Sequence, residues 1–200
     1  MVEMNDFELL AAIENCSDLE QLSLLARDCC RCGLRAGCRG VVFGKGNPDA
    51  DLMFIGEGPG AEEDRQGLPF VGAAGQLLDK IILAGGWQLN EVYIANIVKC
   101  RPPGNRTPAP QEADACKPWL EKQIALIKPK IIVLLGSVAI QNIIDRGARI
   151  TRDRGRWYEK NGIRIMPTFH PAALLRDPAK KRPVWEDIKK VRALYDSLIR

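Results

Sequence analysis

Apolar residues recur at helical spacing between residues 6 and 27: Phe7, Leu9, Leu10 and Ile13, then Leu19, Leu22, Leu24 and Leu25. That periodicity predicts two short helices, with Ser17-Asp18 placed to cap the second. The pattern then changes to short apolar runs. Leu52 to Ile55, ending in Gly56, reads as a strand, and so does Val92 to Val98, which contains Asn96. Lys130 to Leu135 is a third run and Ile163 to Met166 a fourth. Helical patterns fall between them. Ala73 to Ala84 is stopped by Gly85-Gly86, Pro110 to Ile127 starts on its proline, and Val138 to Ile144 follows the third strand. Trp157-Tyr158 and Ile163-Arg164-Ile165 flank Asn161-Gly162, a two-residue hairpin signal. Val184 to Ile199 closes the chain as an amphipathic helix.

Strands alternating with helices predict an α/β sandwich around a mainly parallel sheet. Ligands of such sheets bind beyond the carboxyl ends of the strands. The residues with chemistry to offer fall there: Gly56-Glu57-Gly58-Pro59-Gly60 after the first strand, Asn96 in the second, and His170 after the last. No internal repeat or low-complexity linker interrupts the pattern.

Composition narrows the reading. At 200 residues and 46% hydrophobic, the chain can bury one sizeable core, so a single domain over residues 1–200 is expected. A net charge of +4 permits a nucleic-acid partner without demanding one. The first residues are acidic and lack the cationic and apolar regions of a signal peptide. No apolar run approaches the roughly 20 residues of a membrane span. A soluble cytoplasmic protein follows as the expectation, in which seven cysteines do not form a disulfide framework.

His170 is the only histidine, and it sits in Phe169-His-Pro-Ala-Ala-Leu-Leu-Arg176. A lone histidine is usually bland, but here a hydrogen-bond donor, two apolar residues on a short loop and a cation follow a strand's end. The three glycines from Gly56 to Gly60 allow the backbone to approach a ligand. They match neither a Walker loop nor Gly-x-Gly-x-x-Gly. The carboxylates Glu57, Glu63 and Asp64 would repel phosphate; they suit positioning a water or offsetting a developing positive charge. Phe70 is either core or a platform for a flat ring, as in base-flipping pockets. Asn96 either ties loops together or reads a ligand with donor and acceptor sites, since a buried amide is costly unpaired. Lys99, Arg101 and Arg106 lie in a proline-rich loop and could contact phosphates. Cys29 and Cys32 form a Cys-x-x-Cys, with Cys100 and Cys116 farther along. A zinc ribbon would supply a second close pair. A [4Fe–4S] cluster, zinc and unligated thiols all remain open on spacing alone.

Together these pieces resemble the family 4, iron–sulfur uracil-DNA glycosylases of bacteria and archaea. The resemblance is carried in order by Cys29-x-x-Cys32, Gly56-Glu-Gly-Pro-Gly60 with Glu63-Asp64, and Leu68-Pro-Phe-Val-Gly-x-Ala-Gly75 with Gln76-Leu-Leu78. Asn96-Ile-Val-Lys-Cys-Arg-Pro-Pro-Gly-Asn-Arg-Thr-Pro108 and His170-Pro-Ala-Ala-Leu-Leu-Arg176 complete it. It implies a three-layer α/β/α sandwich, and a DNA repair enzyme that flips uracil out of single- or double-stranded DNA and hydrolyses its N-glycosidic bond. It also implies a [4Fe–4S] cluster on Cys29, Cys32, Cys100 and Cys116, two of them in the N-terminal segment 1–40. By the same resemblance Phe70 stacks on uracil and Asn96 pairs with its N3 and O4 edge. Gly56, the Glu57-Gly58 backbone and His170 surround O2, with Glu57 first among the water-positioning carboxylates, then Glu63 and Asp64. Leu174 and Leu175 fill the duplex gap, and Arg176 lies near phosphate with Lys99, Arg101 and Arg106. The implied enzyme is a prokaryotic, nucleoid-associated monomer. A related group traps uracil DNA covalently through a histidine after the Asn-bearing strand, where this chain has Arg101 to Arg106 and no histidine. The rival readings are a non-catalytic iron–sulfur nucleic-acid-binding protein and a glycosylase for another deaminated base.

Overall fold

A computed structural model describes residues 5–199; Met1 to Met4 and Arg200, with the acidic start of the chain, lie outside the described residues. Two helices open it, α1 (Asp6–Asn15) and α2 (Leu19–Ala26). Asn5 and Glu8 form a capping box on α1, and Asp18 accepts the Gln21 N–H at 2.8 Å to start α2. The strands are β1 (Lys45–Gly46), β2 (Leu52–Gly56), β3 (Val92–Asn96), β4 (Ile131–Leu135), β5 (Tyr158–Lys160) and β6 (Ile163–Thr168). Between and after them come α3 (Ala61–Gln66), α4 (Ala73–Ala84), α5 (Pro110–Ile127), α6 (Ser137–Ile143), α7 (Ile150–Asp153), α8 (Pro171–Arg176) and α9 (Lys181–Ile199).

The strands form one sheet in the order β1-β3-β2-β4-β6-β5. Its four central strands run parallel, and β1 and β5 flank them antiparallel. Alternate residues supply two cores. Met53, Ile55, Ala95, Ile132, Leu134 and Ile165 face a layer that includes Leu22 of α2, Trp119 and Leu120 of α5 and Ile140 of α6. Leu52, Phe54, Ile94, Val133 and Met166 face the other layer, with Leu78 and Ile82 of α4, Leu174 of α8 and Ile188 and Val191 of α9. The architecture is therefore the expected α/β/α sandwich, and burial on both faces explains why the central strands read as unbroken apolar runs.

The hairpin matches its sequence signal: Asn161 and Gly162 carry φ of 52° and 77°, the backbone that a two-residue primed turn requires. β6 runs two residues beyond the predicted end, so Thr168 still pairs with Leu135 and the chain leaves the sheet only one residue before His170. β3 stops two residues short of its predicted end, at Asn96, but the chain keeps its direction. Ile97 and Val98 donate to the carbonyls of Gly56 and Glu57 at 2.9 and 3.1 Å. No described helix is long and apolar enough to cross a membrane.

Candidate active site

The carboxyl ends of all four parallel strands open into one cavity of about 810 Å³. Glu57 and Gly58 enter it after β2, Asn96 at the end of β3, Gly136 and Ser137 after β4, and Phe169 and His170 after β6. Phe70, Glu63, Arg106, Thr107, Gln141 and Arg176 are among the residues that complete the wall.

Asn96 is 1% exposed, and its side-chain Oδ1 has no hydrogen-bond partner among the described residues. An unsatisfied buried acceptor costs roughly 1–3 kcal/mol, so this oxygen asks for a donor from outside the protein. Gly56 makes room beside it. A Cβ there would come within 2.5 Å of the Phe70 ring and 2.6 Å of Asn96 Oδ1. Gly56 thus lets the ring and the amide close on the same space, although it does not itself line the cavity.

Phe70 holds φ at 52°, unusual for a residue with a side chain. Three anchors keep it there. Glu63 Oε1 accepts the N–H groups of Val71 and Gly72 at 2.9 and 2.8 Å, and its Oε2 accepts from Gly60 at 3.1 Å. Lys45 Nζ donates to the Phe70 carbonyl at 3.2 Å. Gly75 of α4 lets that carbonyl pack against the helix, where a Cβ would lie 2.1 Å from it. The Phe70 ring lies 5.6 Å from the His170 ring, tilted by 30°.

His170 caps α8. Its Nδ1 accepts the Ala172 N–H at 3.1 Å, so in the neutral ring the proton sits on Nε2. Burial, and then the nearby Arg176 charge, lowers its pKa from 6.5 to about 4, against an opposing pull from Glu63. The imidazole is therefore neutral at physiological pH and offers an N–H rather than a charge. Gly136, with φ at 90°, sits against the His170 Cβ with no side chain in the way. Behind the loop, Thr168 Oγ1 donates to the buried Asp187 of α9 at 2.6 Å, and Asp187 also takes Arg154. Burial alone raises the pKa of Glu57 above its ordinary 4.5.

The structure corrects several expectations. Leu174 is not on an exposed loop: it lies on α8, 2% exposed, within the second core, leaving Leu175, 50% exposed, as the available wedge. Lys99 is buried, its ammonium bonded to Asn96 O and Gln123 Oε1, and reaches no phosphate. Asp64 is buried outside the cavity and accepts the Arg39 N–H at 2.8 Å. Glu63 does line the cavity, where its two oxygens already accept three backbone N–H groups. Arg106 forms a two-pronged pair with Glu112, and Arg101 Nε donates to Asn105 Oδ1 at 2.8 Å. Sequence reasoning missed Lys45 and Ser137, and quoted Gly75 and Thr107 only within motifs, with no role assigned. A Gly-Ser pair directly after an apolar strand was the one available signal, for Ser137.

Comparison with known proteins meets this geometry. The family profile of the Uracil DNA glycosylase superfamily matches residues 43–189. The chain belongs to that superfamily. Within the glycosylases, it is 44% identical over 181 residues to the type-4 uracil-DNA glycosylase of Thermotoga maritima, covering 88% of this chain and 93% of that one. With the type-4 enzyme of Sulfurisphaera tokodaii the identity is 43% over 185 residues, covering 88% and 84%. A type-5 uracil-DNA glycosylase from Thermus thermophilus matches only 52% of the chain, at 32% identity. The type-4 likeness, unlike the match to the Thermus type-5 enzyme, therefore extends across most of the chain.

The cysteines form a second group of residues with chemistry to offer. Cys29, Cys32, Cys100 and Cys116 line one apolar space with Leu34 and Trp119. Trp119 Nε1 and the Lys99 N–H donate to Cys29 and Cys116 sulfurs, each at 3.3 Å. Burial pushes the Cys116 thiol up to about 11 and raises Cys100 as well, so metal binding there must displace protons. Among the described residues, no three His, Cys, Asp or Glu side chains are gathered as they would be around one ion. A single zinc draws its sulfurs to about 2.3 Å of one centre, whereas an iron–sulfur cluster is held by four thiolates around a larger body. Four cysteines around a shared apolar space, with N–H donors on two of the sulfurs, fit a cluster.

Proposed function

We propose that this protein excises uracil from DNA, reading the flipped base in the Asn96–His170–Phe70 cavity and hydrolysing its N-glycosidic bond. The observation that carries the reading is the buried, unpartnered Asn96 Oδ1. It suits the N3–H of uracil, while the Asn96 amide N–H₂ suits O4. Cytosine has no proton at N3 and an amino group at C4, so it would mispair at both points. Phe70 supplies the stacking face, fixed in advance by Glu63, Lys45 and Gly75.

As the bond to the sugar breaks, negative charge gathers on uracil O2 and the sugar becomes oxocarbenium-like. The neutral His170 directs its Nε2–H at that oxygen, and the Glu57-Gly58 backbone faces the same edge. Glu57 ranks first to orient the attacking water, because it lines the cavity, while three backbone N–H groups take most of the acceptor capacity of Glu63 and Asp64 lies outside the cavity. Leu175 occupies the gap left by the base, and Arg176 faces the phosphates. Extrusion costs a few kcal/mol and is least at a mismatch, which suits uracil opposite guanine.

Cys29, Cys32, Cys100 and Cys116 would hold a [4Fe–4S] cluster, which supplies a cross-link between distant segments rather than a reacting group. Those cysteines join the segment after α2 to the loop after β3 and to α5. The test of the whole reading is a labelled oligonucleotide with one uracil, incubated with purified protein and then alkali, beside thymine and cytosine controls. Strand scission at uracil alone supports it. Intact uracil DNA in the presence of folded, iron-loaded protein rejects it and favours a binding role or another base.

A further inference from the structure

Lys99 drew attention in the sequence as a phosphate contact, yet it is 2% exposed. An ammonium in a core is costly unless its donors are met. A methionine of similar length would fill the same space without that cost. The contacts of Lys99 show where the ammonium is used. Its Nζ donates to the Asn96 main-chain carbonyl at 3.0 Å and to Gln123 Oε1 at 2.5 Å, and lies 5.9 Å from the Phe43 ring centre. Gln123, 0% exposed, passes the network on through Nε2 to the Phe43 carbonyl at 3.0 Å and the Tyr93 hydroxyl at 3.2 Å. The Lys99 carbonyl accepts the Val42 N–H at 2.7 Å.

The geometry points to Lys99 as a positioning residue for base recognition: its buried ammonium pins the Asn96 carbonyl and so sets the direction in which the Asn96 amide faces the base. Asn96 needs such an anchor because it ends β3 and its side-chain Oδ1 has no partner of its own. The Lys99–Gln123 pair supplies the anchor from α5, on the side of the sheet away from Phe70. Lys99 touches neither base nor DNA. The inference rests on the reading of Asn96 as the uracil-binding amide.

The test compares wild type with Lys99→Met in four readouts: single-turnover uracil excision, inhibition by free uracil, affinity for DNA carrying an uncleavable abasic-site analogue, and iron content. Misplacing a binding group by even 1 Å can cost about a hundredfold, so a loss on the order of tenfold is expected in excision and in uracil inhibition alike. Affinity for the abasic DNA and iron per chain should stay within about twofold, because neither involves the Asn96 amide. Excision and uracil inhibition at wild-type levels would overturn the proposal. So would a loss that only follows lost iron or lost DNA affinity. Should Lys99→Met not fold, Gln123→Met removes one of the two acceptors. It should weaken the same two readouts in the same direction, and wild-type behaviour there would equally overturn the proposal. If the wild type itself excises no uracil, the proposed function fails instead.

Discussion

Asn96 and His170 divide the polar contacts of the cavity according to their hydrogen-bonding state. Asn96 presents an acceptor that nothing among the described residues satisfies, and His170 presents a donor because its other nitrogen is already used by Ala172. Removing a donor aimed at a developing anion typically costs about a hundredfold or more; single-turnover excision by His170→Ala should fall by that order. The depressed pKa of His170 also has a consequence for stability. Unfolded, the ring takes a proton near 6.5; folded, only near 4. Between these values the unfolded chain binds more protons, so stability is complete above about 6.5 and declines as pH falls toward 4. Urea melts of His170→Asn should lack this part of the pH dependence, and an unchanged slope would contradict the assignment. Glu57, raised by burial, must be ionised to orient water, so excision should increase with pH through a range above ordinary carboxylate titration. Glu57→Gln should remove that dependence along with most turnover. Asn96 and His170 were legible in the sequence, one as a polar break in an apolar run and the other as the sole histidine. Lys99 and Leu174 were misread for one shared reason. Residue type suggests where a side chain prefers to lie, but the burial of a lysine, or of one leucine of a pair, depends on partners distant in the chain.

At the scale of elements, the Phe70 loop is held by contacts that arrive from three places: Glu63 of α3, Lys45 of β1 and Gly75 of α4. Glu63→Ala leaves three backbone N–H groups without their carboxylate, at about 1–3 kcal/mol for each buried one left unpaired. A lowered melting temperature and weakened uracil inhibition should appear together, since the same loop carries the stacking ring. Gly75→Ala forces a methyl against the Phe70 carbonyl, and overpacking of this kind costs typically 1–3 kcal/mol. Thermal unfolding of that variant should show it; a Tm equal to wild type would mean that the loop yields freely. The long periodic helices and apolar strands were legible because each carries its own pattern. β1, two residues long, has no period to read. α3, Ala-Glu-Glu-Asp-Arg-Gln, shows no apolar face, because its role is to present Glu63 to neighbouring backbone rather than to fill a core. α8 is a single short turn-rich helix started by Pro171, and its burial of Leu174 becomes visible only once α4 and α9 are in place.

For the whole molecule, the parallel sheet gathers four strand ends at one cavity, and the four cysteines gather around a second space against α5. The α/β class and the mainly parallel sheet were legible, though not the strand order, because buried parallel strands and the helices between them follow one pattern. The convergence of Cys29 and Cys32 with Cys100 and Cys116 was open on spacing alone, since residues 68 positions apart in sequence meet only through the fold. If those thiolates hold a cluster as a cross-link, chelation of iron should lower the melting temperature and loosen the segment of α1 and α2 first, as seen by hydrogen exchange. Unchanged melting after iron removal would contradict the structural role. The central claim, that the unpartnered Asn96 amide selects uracil, is tested most directly by single-turnover excision with Asn96→Ala on a uracil oligonucleotide. Affinity for abasic-analogue DNA should be measured beside it. Losing a pairing that the site is built around should slow excision by about a hundredfold or more while DNA affinity holds. Excision at the wild-type rate by a folded Asn96→Ala protein would contradict the account.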